Sequence, residues 1–302
     1  MTNKNFIISD AEEGIRLDVW LSEKMDDVSR SYIQKLIENG HVTVDGKPAK
    51  SRTRTKAGMN VVIEIPEPEN FDLEPENIPL DIVYEDQDII VINKSKDMVV
   101  HPAAGNWGGT LVNALLAHCK DSLSDINGVI RPGIVHRIDK DTTGLLVAAK
   151  NNFAHMKLAE QIKDHSMKRT YDAIVDGIVK ETSGKIDAPI GRHPVNRKKM
   201  AIVKNGKPAV TYFEVLEYLR GYTYLRLKLE TGRTHQIRVH MAAMGHPVTG
   251  DPVYGRKLSI MDTKGQVLHA RFLRLIHPRS NEEMVFEAPL PSYFTELLKL
   301  LR

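Results

Sequence analysis

Hydrophobic spacing along this chain changes from a helical to a strand-like pattern close to the N-terminus. Apolar residues recur at helical spacing in GIRLDVWLSEK and SRSYIQKLIENG, and Gly40 is the expected end of the second helix. Beyond it, apolar and polar residues alternate around an Asp45-Gly46 turn and again in GMNVVIEIP, which predicts a small hairpin-like sheet. Residues 13–66 are therefore predicted to form a small N-terminal α/β domain.

The larger part of the chain mixes strands and helices without a regular repeat. Strands are predicted in DIIVINKS, GLLVAAK, RTYDAIVDG, VTYFEVLEYL and YTYLRLKLE, and helices in TLVNALLAHC, NNFAHMKLAEQIKDH, THQIRVHMAAMG and YFTELLKLLR. Since no regular βαβ order links them, we expect an α+β fold in which helices flank a mixed, largely antiparallel sheet. This domain is predicted over residues 80–302.

An acidic, proline-rich segment separates the two predicted domains. From Glu64 to Asp88 the chain has ten acidic residues, four prolines and no lysine or arginine. This composition is typical of an extended linker and is unfavourable beside a nucleic acid backbone. We place the linker at residues 67–79.

Composition and charge define the class of protein only broadly. The 302 residues are 41% hydrophobic and 27% charged, as in globular proteins with room for a catalytic core and a smaller domain. No run approaches the roughly 18 apolar residues of a membrane helix, and the N-terminus lacks the pattern of a signal peptide. The single Cys119 can close no intramolecular disulfide. We therefore expect a cytoplasmic protein with no membrane partner, whose net charge of +3 permits a polyanionic one.

Several common chemistries find no support in the sequence. His235 and His240 are five residues apart and would point in different directions on a helix, and His136 has no neighbouring metal-ligand partner. A G-x-S-x-G elbow is missing. The segment GNWGGT (105–110) matches neither a dinucleotide-binding nor a Walker loop. We therefore expect no metal and no cofactor.

Three polar stretches adjoin predicted buried elements. The first, HRIDKDTTG, presents Asp139 just before an apolar strand, and KRTYDAIVDG presents Tyr171. The third, LETGRTHQIRVHM, leads from a strand through a turn into a helix, predicted from about Thr234, with His235 and Arg238 on one face. Each of these residues alone is explained as well by a turn, a core aromatic or a surface charge. Together, a carboxylate, a tyrosine and an arginine suffice for covalent catalysis without a cofactor.

The order of these stretches resembles that of the Rlu-type pseudouridine synthases. HRIDKDTTGLLVAAK (136–150) is similar to the family's His-Arg-Leu-Asp signature, and KRTYDAIVDG (168–177) to its Lys-x-x-Tyr strand. Residues 229–255 are similar to its Gly-Arg-Thr-His-Gln-Ile-Arg segment, and residues 99–118 to the start of its core. Four motifs in the right order, spread over about residues 80–300, make the resemblance specific.

The N-terminal domain carries a second resemblance, to the S4-type RNA-binding domain. In the Rlu family this domain precedes the core in the RluC and RluD branch, which modifies large-subunit ribosomal RNA, and the motif order and length are most similar to the RluD type. Ile138 and Thr143 replace the commoner leucine and serine, which leaves the chemistry intact. The resemblance implies an isomerase that converts uridines of large-subunit (23S) ribosomal RNA to pseudouridine and needs no metal or cofactor.

The same resemblance implies roles for individual residues. Asp139 is the nucleophile, which either adds to the anomeric carbon of the ribose or removes a proton from the neighbouring carbon to give a glycal; the sequence leaves both routes open. Arg238 pairs with Asp139, and Arg233 is the alternative for that task. Tyr171 stacks on the flipped uracil, and Arg137 fills the space that the base vacates.

Basic residues predict RNA contact at three places. Beside the pocket they are His136, Lys168, Arg169, Arg233 and His235. In the segment 191–211 they are Arg192, Arg197, Lys198 and Lys199. In the N-terminal domain they are Lys47, Lys50, Arg52, Arg54 and Lys56. A solvated loop is the alternative interpretation of the last two groups, and phosphate contacts of this kind position an RNA without reading its sequence.

Two other functions stay open at this point. The chain could be an RNA-binding or ribosome-assembly factor without catalytic activity, although the joint presence of Asp139 and Arg238 argues against it. It could also be a synthase that acts on transfer RNA. The N-terminal domain favours ribosomal RNA, free or within an assembling ribosomal particle, by analogy alone.

Overall fold

The computed structural model describes residues 2–25, 30–50, 52–65, 73–102, 106–126, 131–196, 199–255 and 263–302. They form two compact units, residues 1–71 and 72–302. The helices are α1 (Leu17–Lys24), α2 (Arg30–Glu38), α3 (Leu111–Cys119), α4 (Asn152–Lys163), α5 (Gln236–Ala243) and α6 (Ser292–Leu301). The strands are β1 (Thr2–Ile7), β2 (Val42–Val44), β3 (Lys47–Pro48), β4 (Asn60–Ile65), β5 (Ile82–Glu85), β6 (Ile89–Lys94), β7 (Thr143–Ala149), β8 (Lys168–Asp176), β9 (Ser183–Asp187), β10 (Ile190–Arg192), β11 (Met200–Ile202), β12 (Val210–Leu219), β13 (Tyr222–Leu229), β14 (Leu268–Ile276) and β15 (Glu283–Glu287).

The N-terminal unit packs two helices on a four-stranded antiparallel sheet in the order β1-β4-β2-β3. Asp45 and Gly46 both have positive φ and form the turn between β2 and β3, a conformation that Asp-Gly favours in hairpins. The sheet includes β1, which precedes the range assigned to this domain from the sequence and pairs with β4 along its length. The alternation of apolar and polar residues in β1 is too short to have predicted this strand from the sequence.

A buried carboxylate joins the two helices of this unit. Asp18 in α1 is fully buried and accepts hydrogen bonds from Arg16, from Arg30 and from Gln34, the last two in α2. Burial opposes ionisation of Asp18, but these donors lower its pKa well below the ordinary value. The apolar side of the same helices, including Trp20, Leu21 and Ile33, forms the core.

The large unit is built on a nine-stranded sheet in the order β5-β6-β7-β14-β8-β13-β12-β9, with β15 paired to β14. All neighbouring pairs are antiparallel except β7 and β14, which are parallel. This is the mixed, largely antiparallel α+β architecture predicted from the sequence. Strands β10 and β11 form a separate hairpin.

The strand that follows Asp139 is buried on both faces. On one face of β7, Leu146 and Ala148 join the cluster that also contains residues of α3 and α5. On the other, Leu145 and Val147 pack with residues of α4 and β14. This double burial explains why GLLVAA is an unbroken apolar run rather than an alternating one. It gives the residues just before β7 a rigid support.

Residues 73–79 lie against the rest of the large unit rather than extending away from it as a linker would. The amide N–H of Glu76 donates to the carbonyl of Asn113 at 3.0 Å, and Asn113 Nδ2 donates to the carbonyl of Glu74 at 2.8 Å. Leu73 packs on the core. The rest of the predicted linker, residues 67–72, lies outside the described residues.

The helices of the large unit follow the sequence predictions closely. Thr110 caps α3 by accepting a hydrogen bond from the Asn113 N–H, and Cys119 at its end is buried with its pKa raised to about 11 by burial. One helix starts later than predicted: α5 begins at Gln236, because His235 adopts a left-handed conformation with φ of 56°. Within the described ranges, no helix is long and apolar enough to cross a membrane.

Gly144 in β7 pairs with Ala270 in β14 at a point where there is no room for a side chain. Its φ is +106°, and a Cβ atom there would lie 2.3 Å from the carbonyl oxygen of Ala270. Side chains other than hydrogen rarely adopt this conformation, and backbone atoms cannot move aside cheaply.

We predict that Gly144→Ala lowers the free energy of unfolding by about 3 kcal/mol or more, since it combines backbone strain with a backbone clash. Gly221→Ala is the matched control: φ is +76° there, but no atom lies within 4 Å of the added Cβ, so only about 1–2 kcal/mol of strain is expected. Urea unfolding of both variants measures the difference. Equal losses of unfolding free energy for the two variants would contradict the close approach of Gly144 to Ala270.

Candidate active site

Hydrogen bonds and packing hold the loop that carries Asp139 on both sides of this residue. Before it, His136 Nε2 accepts a hydrogen bond from the Val147 N–H of β7 at 3.1 Å, and Ile138 is buried in the core. After it, the Thr142 N–H closes a turn on the Asp139 carbonyl at 3.0 Å, and Thr142 Oγ1 accepts from Gln266 Nε2 at 3.0 Å. The carboxylate therefore projects from a loop with little freedom to move.

A buried lysine also holds the backbone of this loop. Lys94, at the end of β6, is 1% exposed, and its Nζ donates to the carbonyl oxygens of Ser95, Met98 and Lys140 at 2.7, 2.9 and 2.9 Å. Burial lowers its pKa to about 7, although the nearby carboxylates of Asp141 and Asp139 oppose the shift. Because its third acceptor is the carbonyl of the residue after Asp139, Lys94 fixes the backbone there.

The central feature of the site is an arginine held between two carboxylates. Arg238 Nη1 donates to Asp139 Oδ2 at 2.8 Å. Its Nε and Nη2 donate to the two oxygens of Asp251 at 2.6 and 2.9 Å, a bidentate pair. Burial opposes the charge of Arg238, but hydrogen bonds and charges of Asp251 and Asp139 raise its pKa above the ordinary value. The alternative, Arg233, instead donates its Nε to the Pro208 carbonyl.

Asp251 was not identified from the sequence, although it lies in the segment matched to the family. Its side chain is fully buried, and Oδ1 also accepts the N–H groups of Val253 and Tyr254 at 2.8 and 3.0 Å. Burial opposes its ionisation, but the bonds from Arg238 hold its pKa below the ordinary value. The signal that could have found it is the turn GDPVYG, where an acid follows a glycine of positive φ, Gly250.

The turn before α5 is built around Gln236. Its Oε1 accepts from the Thr231 hydroxyl and the Arg233 N–H at 2.8 and 2.9 Å, and its Nε2 donates to the Val210 carbonyl at 2.9 Å. His235, in its left-handed conformation, directs Nε2 to within 3.9 Å of Asp139 Oδ1. Burial lowers the pKa of His235, although Asp139 opposes the shift.

These elements surround one small pocket of about 80 Å³. Its lining includes the predicted residues Arg137, Asp139, Arg169, Tyr171, Arg233, His235 and Arg238. Tyr171 is 5% exposed, and burial raises the pKa of its hydroxyl despite the opposing charge of Arg169. The neighbouring Asp172 faces the opposite side of the sheet, where it binds Arg226 and Tyr224.

The remaining predicted RNA-binding residues lie in several environments. His136 is buried beside the pocket, whereas Lys168 is exposed and donates to the His165 carbonyl at 2.7 Å. Arg192 is exposed on β10, and Lys199 donates to the Val253 carbonyl at 2.7 Å. Arg197 and Lys198 lie outside the described residues. In the N-terminal unit Lys47, Lys50, Arg52, Arg54 and Lys56 are all exposed, and Arg54 donates to the Gly14 carbonyl.

Two groups of three potential metal ligands occur in the described parts of the chain. In the first, His118 and Lys150 already bind Glu85. In the second, Asp86 accepts from His277 and Asp88 from Arg279. Ion pairs thus explain both groups, and neither contributes to the pocket around Asp139.

Comparison with known proteins identifies the family. Residues 88–243 match the family model described as RNA pseudouridylate synthase. The chain belongs to the RNA pseudouridine synthase family. As a pseudouridine synthase it is an isomerase, and residues 15–61 match the S4 domain model, in agreement with the second resemblance.

Full-length relatives and solved structures agree with this assignment. An uncharacterised RNA pseudouridine synthase of Bacillus subtilis is 48% identical over 100% of this chain and 99% of its own. Ribosomal large subunit pseudouridine synthase D of Pseudomonas aeruginosa is 48% identical over 96% and 92%, and that of Escherichia coli K12 is 46% identical over 98% and 93%. The structure of human RNA pseudouridylate synthase domain containing 1 superposes with a TM-score of 0.58 at 28% identity, covering 78% of this chain and 97% of that one.

We predict that Asp251→Asn destabilises this synthase by about 3 kcal/mol or more, because Arg238 loses an ionised partner in a buried site. The matched control is Asp187→Asn, which removes an exposed carboxylate 2.9 Å from Lys185 and should cost less than about 1 kcal/mol. Urea unfolding compares the two variants. If Asp251→Asn lowers the free energy of unfolding no more than the control does, Asp251 does not stabilise Arg238 by a buried ion pair.

Proposed function

We propose that this synthase isomerises uridines of large-subunit ribosomal RNA in the cytoplasm, with Asp139 as the reactive group. The observation that carries the proposal is the placement of this carboxylate. Its side chain is 18% exposed and opens to the pocket, while Arg238, 5% exposed, binds it at 2.8 Å. A charge-assisted hydrogen bond from a buried arginine fixes the direction in which the carboxylate points.

The isomerisation breaks the bond between uracil N1 and the ribose and forms a new bond between C5 and the same ribose carbon; C5 loses a proton and N1 gains one, so the atoms balance. An ionised Asp139 can add to the anomeric carbon as N1 leaves, or it can take a proton from the neighbouring ribose carbon to give a glycal. Both routes require an approach from a fixed direction. The second oxygen of Asp139, which is not bonded to Arg238, is free to act in either route.

Tyr171 is suited to hold the freed uracil. It is buried in the wall of the same pocket, where an aromatic ring offers a stacking surface for a flipped base. Since burial raises the pKa of its hydroxyl, the phenol stays protonated near neutral pH. It can therefore donate a hydrogen bond to the detached uracil, or a proton to N1 if it takes up the proton that C5 loses.

Arg137 is suited to support base flipping. It is exposed, two residues before Asp139, and its contact with His101 is long, at 3.4 Å between Nη1 and Nε2. An extruded base costs a few kcal/mol of stacking energy, which a side chain in the vacated space partly offsets. An exposed arginine at the pocket rim has the reach and the charge for this task.

The choice of substrate rests on the relatives and on the N-terminal unit. Two relatives of 46–48% identity are named ribosomal large subunit synthases. The N-terminal S4 domain exposes Lys47, Lys50, Arg52 and Lys56 on its surface. Such a cluster attracts phosphates without reading bases, which supports a role in capturing a large folded RNA.

We predict that the purified protein forms pseudouridine in transcribed large-subunit ribosomal RNA, and that Asp139→Asn abolishes turnover while RNA affinity stays within a few-fold. Chemical mapping of pseudouridine measures the first result and filter binding the second. Asp141→Asn, which removes the other aspartate of the loop, serves as the matched control and should keep most of the turnover.

Parallel incubation with transfer RNA transcripts tests the substrate class. Modification of transfer RNA alone would overturn the ribosomal assignment and keep the chemistry. The absence of pseudouridine in every RNA would overturn the proposed activity, and substantial turnover by Asp139→Asn would show that another group reacts.

A further inference from the structure

A second pocket, of about 450 Å³, adjoins the one around Asp139. The two share Arg137, Arg169, Gly232 and Arg233 in their linings. The other ionisable residues of the second lining are His136, Lys163 and His165. Every ionisable residue described there is therefore basic, so the pocket favours an anion.

Arg169 is the unusual member of this lining. It is 8% exposed, yet its guanidinium has no hydrogen bond or ion pair with any other described residue, and its Nε is fully enclosed without a partner. Other buried cations in this unit are satisfied: Arg238 by two carboxylates and Lys94 by three carbonyls. A buried, unpaired guanidinium is costly, which points to a partner that comes from outside the chain.

His136 lines the same pocket as a neutral group. Its Nε2 accepts the Val147 N–H, so the ring carries its proton on Nδ1. That Nδ1 is enclosed without a partner, and the residue is only 8% exposed. Burial and the nearby charge of Arg169 lower the pKa of His136 to about 3, which keeps the ring neutral. The positive charge of Arg169 is therefore not opposed by a second cation at this position.

Gly232 keeps space open beside the guanidinium. A Cβ atom at this position would lie 2.6 Å from Arg169 Nη1. The glycine is not required by its backbone conformation, since its φ is not in the left-handed region. Its absent side chain instead leaves room at the boundary that the two pockets share.

We propose that this second pocket binds a backbone phosphate of the substrate RNA, next to the uridine that enters the pocket of Asp139, with the terminal nitrogens of Arg169 as its donors. A phosphate presents only acceptors, which matches a lining whose ionisable groups all donate. A uracil base also presents an N–H donor, which finds no carboxylate there. This inference rests on the proposed function, because it takes RNA as the ligand.

The test compares Arg169→Met with Arg302→Met, each of which removes one arginine. Arg302, the last residue of the described chain, is exposed, pairs with the half-buried Glu217 and contributes to neither pocket. The first measurement is thermal unfolding of the full-length protein with and without inorganic phosphate. We expect Arg169→Met to unfold at the same or a higher temperature without phosphate, and to gain less from phosphate than the wild type and Arg302→Met do.

The second measurement is affinity for transcribed large-subunit ribosomal RNA as a function of salt. Loss of one phosphate contact should lower the slope of log affinity against log salt by about 0.7 to 0.9, and lower affinity at low salt by about tenfold or more. Arg302→Met should match the wild type. Arg169→Lys, which keeps the charge without the planar fork, should recover most of the slope.

The outcomes separate this inference from the proposed function. If RNA is modified but Arg169→Met keeps the wild-type salt slope and phosphate response, the phosphate site is wrong. If Arg169→Met lowers the RNA affinity equally at every salt concentration, Arg169 contacts the base rather than a phosphate. That result would also overturn the phosphate site. A marked drop in the unfolding temperature of phosphate-free Arg169→Met would show that Arg169 is satisfied within the protein. If no RNA is modified and yet the phosphate response is lost in Arg169→Met alone, the anion site stands and the proposed activity fails.

Discussion

One guanidinium shared between two carboxylates organises this site. Arg238 uses two of its N–H groups on the buried Asp251 and a third on Asp139. Asp251 is in turn fixed by two backbone N–H groups, so the arginine cannot swing without losing a buried ion pair. The position of Asp139, the proposed nucleophile, is thereby coupled to α5 and to the turn after it, although these segments lie about a hundred residues away in the sequence.

Other elements of the large unit also fix the position of Asp139, independently of Arg238. The doubly buried β7 supports the loop that presents Asp139, and Lys94 holds its backbone. Satisfied buried charges thus position Asp139, the proposed nucleophile, whereas the unsatisfied nitrogens of Arg169 and His136 lie beside it. A protein tolerates such unsatisfied groups only at a cost in stability, and the proposed phosphate contact of Arg169 would offset part of that cost.

Much of the architecture could be predicted because strand and helix periods are strong in the large unit. The unbroken strand β7 and the helix α3 followed directly from the spacing of apolar residues. Asp139, Tyr171 and Arg238 were selected by family resemblance, and the geometry brings them to one pocket. Asp251 and Lys94 were missed because a single buried charge leaves no periodic signal. The left-handed His235 and the packing of residues 73–79 depend on tertiary contacts that no local pattern encodes.

The single-turnover rate of Arg238→Lys at saturating RNA tests most directly whether Arg238 holds Asp139, the proposed nucleophile, in position. Lysine keeps the charge but cannot replace three N–H groups in a planar fork. We expect a rate lower by about 10²-fold, the cost of a misplaced reacting group, with RNA affinity unchanged within a few-fold. A rate within twofold of the wild type would contradict this role of Arg238.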